Sequence, residues 1–403
     1  MFKERTLTPT WALATATATV TLFAVSAFAL GTDSQVEPDL DYGSFEDPSA
    51  VIRPRFRYWL PDASVELDQV RADLADAARI GAGGVELLGY YDYGQVELSP
   101  DPVPTDWTVY GWGTPAWRQV QDTALQAAKN YNLTVDLTLG PNQGAGVPAP
   151  VDTEGLQWDI QPFNVTIPVG GNYSAVIPGW GTGPLISAST ALVVNTTAGT
   201  AGPVIVLSEA SLTDVTADVD SNGRLELSLP ATAAGDNYTL FANYLVHTQY
   251  REQQTPDLVV GVPQSPVEYF VQNGSWVVDH FSAQGAELVE TFWRDYLLNG
   301  TNGTTLALLQ QVGNYLWEDS QEYPANLLWT SGLPDLFLQN RGYEIAKYIP
   351  LLFGPRLGLV LPGTPTSPRA SYILDSKDQG SSYVFDYRQT VSAELRSAAD
   401  SVY

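Results

Sequence analysis

The stretch "RPRFRYWLPDASVELDQVRADLADAARIGAGGVELLG", Arg53 to Gly89, decides how the chain is read. Phe56 to Leu60 has the composition of a strand. Ser64 is an N-cap type, and Val65, Leu67, Val70, Leu74, Ala77 and Ala78 recur at helical spacing. Gly81 to Gly84 end that helix, and Val85-Glu86-Leu87-Leu88 reads as a short buried strand. The pattern repeats at once, with a helix over Trp117 to Tyr131 and a strand over Leu133 to Leu139. Strand and helix alternating on short links predict parallel βα units.

Working outward, residues 1–29 read as a signal peptide. Lys3 and Arg5 precede an apolar run, and Ala27-Phe28-Ala29 has the spacing a signal peptidase prefers. An acidic lead-in covers residues 30–50, and the first βα units cover 51–154. Over 155–250 the texture changes to short β-type runs split by Gly, Pro and Asn, which predicts an inserted antiparallel β module. Residues 251–403 return to βα texture. They include a strand over Trp276 to Asp279, a weaker one over Gln310 to Leu316, and helices over "SAQGAELVETFWRDYLL", "GLPDLFLQNRG" and Tyr383 to Val402. The fold expected is a (β/α)8-type (TIM) barrel, incomplete because at most five βα units are countable where eight close it.

Composition narrows the function. The net charge is -26, from 45 acids against 19 Lys and Arg, so the surface repels phosphate backbones and nucleic acid is excluded as a partner. Cysteine is absent, which removes disulfides and thiol chemistry. Eight Asn-X-Ser/Thr sequons begin at Asn132, Asn164, Asn172, Asn195, Asn237, Asn273, Asn299 and Asn302. Downstream of a signal peptide they predict a secreted glycoprotein with no stable membrane insertion after cleavage. With two His and no Cys, metal sites built on those residues have no support, and no phosphate-binding glycine loop follows a strand.

Carboxylates remain. Sugar hydrolysis needs an acid for the leaving oxygen and a base or nucleophile on the opposite face. Glu322 follows a strand candidate among Trp317, Tyr323 and Trp329, and nearby Asp319 would raise its pKa. By pattern alone, a solvated loop acid comes first for Glu322. Glu86, inside an apolar strand, reads equally as one half of an ion pair or as a substrate contact. Asp136 raises the same question at lower odds. Asp279 and His280 at a strand end suit sugar hydroxyls, with a turn cap the commoner role. Trp59, Tyr90 and Asn142 fall at predicted strand ends, where such folds carry their functional loops. Trp329 is a further aromatic candidate.

Three stretches resemble glycoside hydrolase family 106, the α-L-rhamnosidases, of secreted fungal type. They are the opening unit quoted above, "LTVDLTLGPNQGAGVP", and "EDSQEYPANLLWTSGLPDLFLQNRGYEIAKYIPLLFG" with its D-S-x-E, R-G-Y turn and apolar run. The resemblance spans most of residues 50–400 and corresponds to the N-terminal half of family members. It implies a (β/α)8 barrel, inverting hydrolysis of terminal rhamnosides, Glu322 as catalytic acid and calcium as a helper with no ligands placed. It further implies that the second catalytic glutamate lies past the last residue here. The alternative from another class is a non-catalytic secreted glycan-binding or cell-surface protein on the same scaffold.

Overall fold

The structure is a computed structural model that describes residues 42–89, 107–141, 144–150, 152–199, 202–232, 234–248, 275–298, 303–319, 325–353 and 370–395. The opening unit folds as β1 (Arg55–Leu60), α1 (Leu67–Arg79) and β2 (Gly84–Gly89). Strict alternation splits β1 between two environments. Leu60 joins Val85 and Leu87 of β2 in a core under Val70 and Leu74 of α1, whereas Arg55, Arg57 and Trp59 take the opposite face. Ser64 does not cap α1. Asp62 Oδ1 accepts from the Ser64 amide (2.6 Å) and hydroxyl, and the helix begins beyond this turn, after Glu66.

A one-turn helix α2 (Trp107–Tyr110) leads to α3 (Pro115–Tyr131). Thr114 caps α3 by accepting from the Trp117 amide, Pro115 lies in its first turn, and Asn132 ends it at φ 55. β3 (Thr134–Thr138) follows as expected, and then β4 (Gly146–Pro148).

The β-rich stretch comprises β5 (Trp158–Pro168), β6 (Asn172–Val176), β7 (Leu185–Gly199), β8 (Gly202–Leu207), β9 (Thr213–Asp214), β10 (Arg224–Ser228) and β11 (Asn237–His247). β6 pairs with β10 as a separate ribbon, and β5, β11, β7 and β8 are consecutive antiparallel neighbours in a larger sheet.

Next come β12 (Ser275–Val277), α4 (Ala283–Phe292), which runs on as a wider turn to Leu297, α5 (Thr304–Val312) and β13 (Gly313–Trp317). The strand expected from Gln310 thus starts at Gly313, because Gln310 to Val312 end a helix. The strand expected over Trp276 to Asp279 is short and does not enter the parallel sheet. It pairs antiparallel with β4, where Gly146 is needed, since a Cβ there would lie 2.4 Å from the Trp276 carbonyl oxygen.

The parallel sheet has the order β1-β2-β3-β13, four strands where a closed barrel takes eight. The molecule is therefore a mixed α/β chain with a half-barrel sheet, and a complete barrel is not seen among the described residues. Phe56 on β1 and Leu316 on β13, at the two ends of that order, are about half exposed.

After β13, the described chain does not add strands to the parallel sheet. β14 (Leu328–Trp329) pairs with β5, and then α6 (Leu333–Arg341) and α7 (Ile349–Leu352) lead to β15 (Ser371–Leu374), which pairs with β8. The C-terminal segment thereby pairs with both outer strands, with β5 at Trp158 and Asp159 and with β8 along Val204 to Leu207. The reason is apolar burial. Trp329, Leu333, Phe337, Ile349 and Leu352, with Tyr387 of α8 (Ser381–Gln389), form one core with Ile160 and Leu245 of the β-rich sheet.

Candidate functional site at the ends of the parallel strands

The described carboxyl end of β3 meets that of β13. Leu139 donates its amide to the Trp317 carbonyl (2.9 Å), and Trp293 Nε1 donates to the Leu139 carbonyl (2.7 Å). Gly140, Gly144 and Gly146 beyond β3 make close backbone approaches beside this junction. A Cβ on Gly140 would fall 1.8 Å from the Gly146 carbonyl oxygen. Gly144, at φ 87, brings its backbone against Glu318, where a Cβ would lie 3.1 Å from the Glu318 Cα.

Glu318 is the residue after β13. Its Oε2 lies 3.0 Å from His280 Nε2, so the carboxylate accepts from the ring N–H. Only 3% of the His280 side chain and 14% of the Glu318 side chain are exposed. Sequence reasoning named His280 and missed Glu318. The available signal was its place, since a carboxylate directly at a strand's carboxyl end is where such folds hold functional groups.

Asp279 turns the chain beside this pair. Its Oδ1 accepts from the Phe281 amide (3.0 Å), and the Thr330 and Ser282 hydroxyls bond the same carboxyl. Burial pushes its pKa above the ordinary 3.8, against the opposing pull of those hydrogen bonds and of His280. This is the turn-capping arrangement. It also ties the β12 turn to Thr330, the residue after β14.

The face of the parallel sheet opposite α1 is lined by paired charges. Arg57 Nε lies 3.3 Å from Glu86 Oε2, and the same guanidinium sits 4.6 Å from the centre of the Trp59 ring. Arg55 Nε lies 3.0 Å from Asp136 Oδ2, and Asp136 Oδ1 accepts from Asn314 Nδ2 (2.8 Å) and the Tyr315 amide (3.2 Å). Of the two roles open to Glu86, the structure supplies the ion pair.

Of the other candidates, Asp319 is exposed next to Glu318, whereas Trp329, on β14, is fully buried in the core. Glu322, Tyr90 and Asn142 lie outside the described residues. The structure thus brings Asp279, His280, Glu318 and Asp319 to the β3–β13 end, and places Trp59 and Glu86 on β1 and β2 of the same sheet. For calcium, no group of three or more His, Cys, Asp or Glu that could hold a metal ion occurs among the described residues, so no step is assigned to it. No helix among them is long and apolar enough to cross a membrane.

No family model matches the sequence, and no curated protein matches it. Among solved structures, a rhamnosidase from Novosphingobium sp. PP1Y is similar, with a TM-score of 0.50 and 13% identity. The likeness covers 89% of this chain and 45% of that one, so the chain spans less than half the rhamnosidase's length. At that identity the likeness is one of fold: the chain is built on a scaffold shared with a glycoside-cleaving enzyme.

Proposed function

We propose that the chain belongs to a glycoside hydrolase of the α-L-rhamnosidase type, acting on terminal rhamnosides with inversion. The observation that carries the reading is the segment Asp319-Ser320-Gln321-Glu322. Its first residue, Asp319, lies two residues past the carboxyl end of β13, the position at which such sheets hold their chemistry, in a chain whose fold matches a rhamnosidase.

In this reading Glu322 is the general acid. It protonates the glycosidic oxygen while a second carboxylate, about 6.5–9.5 Å away in inverting enzymes, activates water on the other face of the sugar. Asp319 would hold sugar hydroxyls near it, and Trp59 would offer a ring face to sugar C–H groups. The partner is a rhamnose-containing glycan. Secretion belongs to the same proposal. It is supported by the acidic, cysteine-free composition and by the exposure of Asn132, Asn164, Asn172 and Asn195 at the heads of their sequons.

A second reading, sugar binding without turnover, is favoured by one observation. Two of the described carboxylates at that end, Glu318 with His280 and Asp279 with Thr330 and Ser282, already have partners, as do Glu86 with Arg57 and Asp136 with Arg55 further down the strands. A panel of aryl glycosides separates the readings. Release of the aryl group from the α-L-rhamnoside alone supports hydrolysis, release from another sugar moves the specificity, and saturable binding with no release supports the second reading.

A further inference from the structure

The Arg341-Gly342-Tyr343 turn at the end of α6 takes no part in the site above. Gly342, at φ 76, donates its amide to the Leu338 carbonyl (2.9 Å), and beyond it the chain forms a short turn over Ala346–Tyr348. Tyr343, Glu344, Lys347 and Tyr348 from this stretch line a cavity of about 410 Å3, together with Leu212 and with Asp214 of β9.

The aromatic wall of this cavity is fixed by its own packing. Tyr348 stacks on Tyr383 of α8 with ring centres 3.8 Å apart, and Tyr343 meets the two rings edge-on at 5.6 and 5.7 Å. The Tyr343 hydroxyl donates to Asp386 Oδ2 (2.8 Å) and the Tyr383 hydroxyl to Glu209 Oε1 (3.0 Å), which pins both rings at their polar ends.

The charges are held apart. An ammonium and two carboxylates line one cavity, yet among the described residues Lys347, Asp214 and Glu344 form no ion pair with one another or with any other group. Lys347 Nζ instead lies 5.0 Å from the centre of the Tyr348 ring. The Thr216 amide donates to Asp214 Oδ1 (2.8 Å), which leaves Oδ2 for another donor, and Glu344 is exposed. An anion entering here would meet two carboxylates, and a cation would meet Lys347, so a ligand of either charge is opposed. A sugar is not, because each hydroxyl both accepts, from the ammonium, and donates, to a carboxylate. Its C–H groups can pack on the tyrosine rings, and the volume falls in the range of small-ligand pockets.

We propose that this cavity binds one neutral pyranose unit of a glycan, with Lys347 donating to its hydroxyls and Asp214 and Glu344 accepting from them. The site shares no residue with the ends of the parallel strands and does not rest on the hydrolase reading.

The test uses the full chain with Lys347→Met, which keeps an apolar stem over Tyr348 and removes the charge, and with Glu344→Ala at an exposed position. Amide hydrogen exchange over residues 209–216 and 341–349 is titrated with L-rhamnose, D-galactose and D-glucose, and with D-galacturonate and tetramethylammonium as ligands of either charge. At least one neutral sugar is expected to slow exchange in both stretches of the wild type, with a Kd on the order of 1 mM, the range open to a ligand of about 11–12 heavy atoms. Each substitution is expected to raise that Kd about tenfold, the scale of a lost charge-assisted bond, with Tm within about 1 °C. Glu322→Gln is expected to leave the protection as in the wild type, so failure of the hydrolase reading does not touch this result. No protection by any of the three sugars, an unchanged Kd in either variant, or protection by galacturonate or tetramethylammonium in place of the neutral sugars overturns the inference. Should Lys347→Met not fold, Glu344→Ala and the ligand series decide it.

Discussion

Replacing Asp136 by Ala removes the acceptor that joins three strands. Arg55 of β1, Asn314 and the Tyr315 amide of β13 all bond this one carboxylate on β3. Its side chain is 8% exposed, and that of Arg55 is 22% exposed, so the substitution leaves a mostly buried guanidinium and two further donors without their acceptor. Breaking a buried pair from one side costs about 3–5 kcal/mol, and the partial exposure of Arg55 puts the expected cost at the lower end, about 3 kcal/mol. Unfolding entropy of about 2.1 cal/mol/K per residue, over the 403 residues of the chain, converts that to a Tm fall of about 3.5 °C. Glu86→Gln is the control, because the Arg57 partner is 64% exposed and such pairs contribute about 0–1 kcal/mol. Differential scanning calorimetry reads both. A double-mutant cycle with Arg55→Ala is expected to give a coupling above about 1 kcal/mol. Coupling near zero, or a larger loss for Glu86→Gln than for Asp136→Ala, would refute the assignment of Asp136 as the junction.

Three further outcomes follow from the packing. Leu74→Ala, at a fully buried position of α1 against the sheet, is expected to cost about 2–5 kcal/mol by urea denaturation. Gly144→Ala places a Cβ against Glu318 on a backbone at φ 87, and is expected to cost about 1–3 kcal/mol and to speed exchange at Glu318. Asp279 has a folded pKa above its unfolded value, so folding favours its protonated form. The stability this contributes is complete below about pH 3.8 and lost as pH rises through the higher folded pKa. Asp279→Asn keeps the turn acceptor and is expected to flatten that part of the Tm-against-pH curve. An unchanged slope would show that Asp279 does not carry it.

Much of the opening unit was legible because local signals and burial agree there. The alternation in Arg55–Leu60, the apolar stripe through Val70 and Leu74, and the closing glycines all point to the same elements. The β-rich stretch was legible for the same reason. What sequence pattern did not show was which sheet a strand joins. Trp276 to Val277 and Leu328–Trp329 are too short to announce a partner, and their pairing with β4 and β5 is settled by long-range burial. The candidate site divides in the same way. Asp279 and Asp319 fall where strand ends were expected, but the His280–Glu318 contact joins residues 38 apart, and no local pattern signals it. Trp329 illustrates the opposite error, because an aromatic near acids can equally be the core that holds them.

The most direct measurement follows the anomeric proton by NMR as the protein acts on an aryl α-L-rhamnoside, for the wild type and for Glu322→Gln. The account predicts β-rhamnose as the first product of the wild type, before mutarotation, and loss of turnover in Glu322→Gln with substrate binding retained. Turnover that persists in Glu322→Gln, or α-rhamnose as the first product, would contradict it.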